Sequence, residues 1–308
     1  MTTLQGQASL PTRLKAAAGD IKLAHSVFAL PFAILAACMA LDPASGVSVT
    51  RLAMLLGLVV VCMFFARTWA MLVNRWADRG IDGANPRTAR RAIPAGRLSS
   101  ADVVWFAGAS ALGFMLGCAG FWFAAENPWP LMLGAPALAW IALYSFTKRF
   151  TWLCHVFLGG ALGASPLCSA IAIDPGALAQ WPAILLLSGM VLCWVAGFDV
   201  IYALQDLEFD REKGLHSIPA RLGARGAIWI SRALHALAFT LLALAWRADT
   251  RFGLLFGVAV SLVGCLLIAE HVVLARRGKA GLEMAFFTLN GVVSCVLGTA
   301  GIADLLIA

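Results

Sequence analysis

At 308 residues the chain has the length of two soluble domains, but 61% hydrophobic residues, 13% charged residues and a mean hydropathy of +0.85 exclude an ordinary globular core. The net charge of +7 reads as a reporter of membrane topology and of contact with anionic lipid, and nucleic acid is excluded as the natural partner.

Apolar runs long enough to cross about 30 Å of hydrocarbon, at about 1.5 Å per helical residue, recur about nine times. They lie near 23–41, 52–73, 103–125, 129–146, 152–173, 181–204, 227–246, 252–275 and 284–308. The expected fold is an all-α polytopic membrane bundle of about nine transmembrane helices with helical cytoplasmic loops, built as a single domain over 1–308. The first run follows a long polar leader and precedes eight others, so it reads as a spanning helix and not as a cleaved signal.

With a cytoplasmic amino terminus, the inside segments hold 18 of the 23 Lys and Arg residues, and the opposite loops hold only Arg51, Arg247 and Arg251. That asymmetry orients the bundle and puts the carboxyl terminus outside. A bacterial inner membrane, with the active side facing the cytoplasm, is the expected setting. The eight cysteines sit in apolar runs without CxxC spacing and read as helix-packing residues. The glycines from Gly159 to Gly163 suit close helix contact in lipid.

Two inside loops differ from the rest. The first, after the second run, contains Asn74, Asp78 and Asp82 at i, i+4, i+8, and the second, after the sixth run, contains Tyr202, Asp206 and Asp210 at the same spacing. On helices continuing out of the membrane each set forms one stripe. Each loop also ends in an Ile-Pro-Ala phrase, at Ile93 and at Ile218, an internal echo that predicts two loops facing each other.

Aspartates at a helix carboxyl terminus oppose the macrodipole. Four carboxylates within ~5 Å repel by roughly 3 kcal/mol per pair at an effective dielectric near 20. A divalent cation resolves that conflict. Oxygen-only donors favour Mg2+, which keeps several waters and shares its shell with phosphate, so a phosphate or diphosphate ligand is implied. The alternative is four acidic residues salt-bridged to nearby arginines in a solvated loop.

Only two tyrosines occur, Tyr144 and Tyr202, each four residues before an ionisable group, Lys148 and Asp206. Lys148, Arg149, Arg79, Arg91 and Lys213 are candidate cations for diphosphate oxygens. Asp199, a helical turn before Tyr202, costs roughly 2.5–3.5 kcal/mol to insert and is expected to face a cavity, whereas Arg67 and Arg232 are free to snorkel or pair. The five scattered histidines carry no expected role.

On these residues the chain resembles the UbiA-type intramembrane prenyltransferases over essentially its whole length. The family's NxxxDxxxD signature is met from Asn74 to Asp82, its tyrosine-led aspartate pair by Tyr202, Asp206 and Asp210, and its tyrosine-lysine loop by Tyr144 to Lys148. The resemblance implies Asp78, Asp82, Asp206 and Asp210 as Mg2+ ligands, and Asn74, Tyr202, Tyr144 and Lys148 as substrate contacts, to which Arg79 and Arg91 are added as candidate cations from the residues alone. It implies ionisation of a polyprenyl diphosphate and attack by an electron-rich aromatic ring, with Asp199 as the candidate base and Lys22 as a candidate partner for the acceptor's carboxylate. The acceptor it implies is a hydroxylated aromatic acid of the 4-hydroxybenzoate type, in quinone synthesis. The phrases from Lys22 to Phe32 and from Asp206 to Ala220 are similar to a subgroup on the futalosine route to menaquinone, whose acceptor is a dihydroxynaphthoate. A reading from another class is an ion-coupled transporter, disfavoured because its site belongs near the midplane on broken helices.

Overall fold

The computed structural model describes residues 9–21, 28–41, 48–282 and 284–307. All the regular structure among them is helical: α1 (Leu10–Ile21), α2 (Leu30–Leu41), α3 (Val49–Ala77), α4 (Arg79–Ala84), α5 (Ser100–Ala125), α6 (Trp129–Thr147), α7 (Cys154–Ile173), α8 (Ala177–Gln180), α9 (Ala183–Tyr202), α10 (Leu207–Glu212), α11 (Ile218–Ala248), α12 (Leu254–Arg277) and α13 (Asn290–Ile307). Eight of the helical stretches are long and apolar enough to cross a membrane, and the protein is a multi-pass membrane protein.

The nine expected runs return as these eight plus α2. The described part of the first run is a 12-residue helix, too short alone to span hydrocarbon, and residues 22–27 of that run lie outside the described residues. The sequence reading missed α1, whose apolar and polar residues segregate to opposite faces. Ala17 and Ile21 are buried, and Arg13 reaches Asp102 of α5 at 2.6 Å. It lies along the loop end of the bundle, where Asp20 accepts the N–H of Ala92 at 2.8 Å.

Helix starts follow local chemistry. Ser48, Ser99 and Ser217 each accept a backbone N–H of the first turn, and Ser99 with Asp102 completes a capping box.

The centre of the bundle is α9, with Trp194, Met190, Leu187 and Ile201 fully enclosed by the neighbouring helices. Trp194 donates its indole N–H to Asn290 Oδ1 of α13 at 2.6 Å, which satisfies a polar atom that lipid cannot. On the other side of α9, α7 comes so close that a Cβ on Gly159 would collide with Leu192 O. One on Gly163 would lie 2.9 Å from Ser188 O. These glycines are a helix-packing seam, as the sequence suggested, with Ser188 Oγ donating to Gly163 O at 2.6 Å across it. The seam holds His155 of α7 and Asp199 of α9 at one level.

The acidic stripes do not lie on unbroken helices. At Asp78 the chain turns between α3 and α4 with φ −92°, ψ 7°, and at Asp206 it turns before α10 with φ −101°, ψ 4°. Both are bridge-region conformations. Hydrogen bonds from Asp78 N to Asn74 O (2.9 Å) and from Asp82 N to Asp78 O (2.7 Å) keep the spacing through the turn, so the first stripe survives with a bend in it. The Ile-Pro-Ala echo is not structural: the first phrase is a series of turns, whereas the second opens α11.

Candidate active site

The two acidic loops meet, although they are more than a hundred residues apart in sequence. Asn85 donates to Asp206 Oδ1 at 3.0 Å, and Arg87 grips both oxygens of Asp206 through Nε and Nη2. The pair is bidentate, the strongest geometry available to a guanidinium and a carboxylate.

Between the loops and the bundle lies a cavity of about 310 Å³. Asn74, Asp78, Asp82, Arg91, Tyr144, Lys148, Asp199, Tyr202 and Asp206 of the expected site all line it. Asp210 stands behind this lining and is wholly buried, joined to the cavity through Lys148 at 2.8 Å and held by Ser217 Oγ at 3.0 Å. Arg79 is not brought there: it is exposed, stacks over Trp76 at 4.7 Å and donates to Trp76 O, because the turn at Asp78 sends α4 off the axis of α3. Lys22 lies outside the described residues.

Each aspartate of the two motifs has a cation. Asp78 pairs with Arg149 (3.1 Å), Asp82 with Arg91 (2.7 Å), Asp206 with Arg87 and Asp210 with Lys148 (2.8 Å). The sequence-based expectation of carboxylates converging on one cation differs from this arrangement. Among the described residues no three His, Cys, Asp or Glu side chains gather where they would hold a metal ion. Repulsion is relieved here by four separate basic partners.

The electrostatics follow from burial. Burial pushes the Asp78 carboxyl above the ordinary range, and the neighbouring Asp82 adds to it, against the opposing pull of Arg149, Lys148 and Arg91. Burial also works to lower Lys148, but Asp210 and Asp206 outweigh it and hold the ammonium above its usual value. Arg87 likewise stays charged despite desolvation, because its hydrogen bonds to Asp206 prevail.

The cavity has more cations than its aspartates neutralise. Arg67 and Arg75 also line it, and the Nε of each is buried with no hydrogen-bond partner. A desolvated guanidinium with an idle donor in a cavity wall is a site for an anion. Arg75 is one residue from Asn74 and bonds its Oδ1 at 2.9 Å. Arg67 lies seven residues inward of Asn74, and Asp199 lies seven residues inward of Asp206, so each stands about 10 Å deeper than that motif residue. Around and below them the wall turns apolar, with Met71 on the loop side of Arg67 and Leu158, Leu162, Val195 and Phe198 on the membrane side of Asp199. Tyr202 stacks on Phe286 at 4.1 Å, with the Arg87 guanidinium 5.8 Å from its ring.

Asn85, Arg87 and His155 were missed from the sequence. Asn85-Pro86-Arg87 reads as ordinary turn chemistry, and nothing local announces a partner 119 residues away. His155 is buried on α7, with Nδ1 2.7 Å from Asp199 Oδ2. Its signal was weak: one histidine in an apolar run.

Comparison with known proteins agrees with this geometry. The UbiA prenyltransferase family model matches residues 29–292. A 4-hydroxybenzoate octaprenyltransferase of Yersinia pseudotuberculosis serotype O:1b (strain IP 31758) is 32% identical over 244 residues, covering 77% of this chain and 79% of that protein. Among solved structures, the apo UbiA homologue of Aeropyrum pernix K1 superposes with a TM-score of 0.80 at 30% identity, over 92% of this chain and 98% of its own. A UbiA homologue of Archaeoglobus fulgidus bound to GPP and Mg2+ shares the fold at TM-score 0.66 and 17% identity, over 94% and 99% of the two chains. These matches, over an anion-seeking cavity walled by two paired aspartate motifs, displace the transporter reading: the chain belongs to the UbiA prenyltransferase family and is a prenyltransferase.

Proposed function

We propose that this protein transfers a polyprenyl group from a polyprenyl diphosphate, taken as its Mg2+ complex, to a ring carbon of a hydroxylated aromatic acid of the 4-hydroxybenzoate type in quinone synthesis. The positive-inside bias puts the aspartate end on the cytoplasmic side of a bacterial inner membrane. The observation that carries the reading is the double character of the cavity, in which Asp78, Asp82 and Asp206 line the wall, with Asp210 behind Lys148, beside basic groups with idle donors.

The chemistry of the donor set, though not its present spacing, suits Mg2+. Asp78, Asp82, Asp206 and Asp210 supply only oxygen, the donor set that suits Mg2+ shared with phosphate. When bound, Mg2+ supplies charge that steadies the departing diphosphate. The chain's own groups do the rest. Lys148, Arg149, Arg87 and Arg91, each paired with one of these aspartates, would be available to diphosphate oxygens if the carboxylates held the ion, so the four ion pairs would exchange partners with a ligand that carries both signs. Arg75 and Asn74 complete that shell. The isoprenoid chain lies along Met71, Leu158, Leu162 and Phe198, which keep water from the allylic cation.

The acceptor's place is one level deeper, between Arg67 and Asp199. Arg67 receives the carboxylate in the role first given to Lys22, and Asp199 takes the ring proton when aromaticity is restored. Allylic C–O cleavage, C–C bond formation and transfer of that proton leave prenylated acid and diphosphate, so the reaction balances.

The test is mass spectrometry of membranes that contain the protein, incubated with Mg2+, geranyl or octaprenyl diphosphate, and either 4-hydroxybenzoate or a dihydroxynaphthoate. A prenylated hydroxybenzoate is expected. A prenylated naphthoate alone replaces the acceptor and moves the enzyme to menaquinone synthesis, as the phrase from Asp206 to Ala220 suggests. Folded protein that forms neither product overturns the aromatic-acid reading.

A further inference from the structure

Among the described residues His155 is the one ionisable side chain bonded to Asp199, and the proposed reaction leaves it without a task. The residue is 3% exposed. The backbone N–H of Ile218 donates to Nε2 at 3.4 Å, so Nε2 holds the lone pair and Nδ1 holds the proton. Nδ1 then donates to Asp199 Oδ2 at 2.7 Å. Asp199 Oδ1 has no hydrogen-bond partner among the described residues, and the side chain lines the cavity. The arrangement is the reverse of a hydrolytic triad, in which a buried carboxylate orients a reacting imidazole. Here the imidazole is the buried member and the carboxylate faces substrate.

The far side of the ring leads back to the acidic loop. Ile218 follows Ser217, whose hydroxyl donates to Asp210 Oδ2 at 3.0 Å. His216 N donates to Lys148 O at 2.8 Å, and Cys154, beside His155, donates its thiol to His216 O at 3.5 Å. The segment from His216 to Ile218 is therefore fastened to Lys148, Asp210 and His155 at once.

We propose that His155 is a positioning residue: its Nδ1–H fixes the Asp199 carboxylate with Oδ1 toward the acceptor, and its Nε2 ties that orientation to the loop that carries Asp210. This rests on the prenyl-transfer reading and on Asp199 as the proton acceptor. The ring does not relay the proton, because Nε2 is occupied by Ile218 and leads to backbone. A static task follows, holding the base in line during C–C bond formation, when a misplacement of about 1 Å costs roughly 10²-fold in rate.

Amide and apolar replacements separate this task from packing. In His155→Asn the amide N–H falls near the position of Nδ1 and keeps the bond to Asp199, whereas His155→Gln places its amide near Nε2 and leaves Asp199 without a donor. His155→Leu keeps volume and loses both bonds. Initial rates are measured in membranes with Mg2+, geranyl diphosphate and the aromatic acid that the wild type prenylates, and each variant is also measured in an Asp199→Asn background.

The expected result is a kcat within about 5-fold of wild type for Asn and lower by roughly 10²-fold for Gln or Leu, whichever accumulates, with KM for geranyl diphosphate unchanged. In the Asp199→Asn background the Gln and Leu substitutions should cost nothing further. Equal losses in Asn, Gln and Leu, or the same loss again in the Asp199→Asn background, would show His155 to be packing alone and overturn the proposal. So would full activity in Gln or Leu. An active wild type with these outcomes sinks the positioning role only, whereas a wild type that prenylates no aromatic acid sinks the functional reading, and the positioning role falls with it.

Discussion

Asp78→Asn should lower turnover by roughly 10²–10³-fold, the scale on which one fixed electrostatic group is lost from an active site, while the ligand-free protein melts at a temperature no lower than wild type. The two effects have one cause. Burial and the adjacent Asp82 hold the Asp78 carboxyl above its ordinary pKa, so the fold favours the neutral acid. The stability this group contributes is present in acid, below the unfolded-state pKa, and is lost as pH rises through the raised folded-state value. At neutral pH the ionised carboxylate is a net cost. Asparagine removes that charge at nearly constant volume. What it loses is the pair with Arg149, a third exposed, which is worth about 0–1 kcal/mol. Arg149 also keeps its 2.6 Å bond to Ala77 O. Melting curves against pH check this directly: wild type should lose stability relative to Asp78→Asn as pH climbs, and the gap should close in acid. A mutant that is both active and less stable would mean that Asp78 serves the fold and not the ligand.

Arg87→Leu is expected to do the opposite, destabilising the ligand-free protein by about 2–3 kcal/mol and making it dependent on Mg2+. Asp206 is nearly buried, and its two oxygens are satisfied by Arg87 and Asn85. Removing one partner of a buried pair leaves an uncompensated charge, a change worth about 3–5 kcal/mol when both groups are enclosed and less here, because Arg87 is a third exposed. If Asp206 is a metal ligand, Mg2+ should restore part of the lost melting temperature in Arg87→Leu and raise it more than in wild type, since the ion supplies the missing positive charge. Equal Mg2+ shifts in the two proteins would remove Asp206 from the metal site.

The number of helices was legible because lipid demands long apolar runs, and the acidic motifs because charge at the ends of such runs is conspicuous. Asn74, Asp78, Tyr202 and Asp206 were singled out by their spacing, and Tyr144 and Lys148 with the help of the family resemblance; all six line one cavity. Three kinds of feature were hidden. Asn85 and Arg87 act across 121 and 119 residues of sequence, a pairing that no local window contains. His155 looks like any histidine in an apolar helix until the close approach at Gly159 and Gly163 sets it against Asp199. Arg79 was misplaced because a straight helix was assumed through Asp78, where the backbone turns. The amphipathic α1 escaped because a search for spans passes over a helix that lies along the bundle end.

The four ion pairs explain how a membrane protein keeps so many charges at one site without its ligand. Each aspartate is neutralised by its own basic partner, and under the proposed function those bases would turn to the diphosphate, so loading would exchange partners and not bury bare charge. Under that proposal, exchange of this kind would require the metal and the diphosphate together. Diphosphate alone leaves the aspartates without their cations, and Mg2+ alone leaves the arginines and Lys148 without anions.

The most direct measurement is therefore the affinity of the purified protein for a non-reacting geranyl thiolodiphosphate, measured by calorimetry with Mg2+ and again with EDTA, in wild type and in Asp206→Asn. The account predicts binding at least about 30-fold tighter with Mg2+ in wild type, or about 2 kcal/mol, and little Mg2+ dependence in Asp206→Asn. Equal affinity with Mg2+ and with EDTA in the wild type would contradict it.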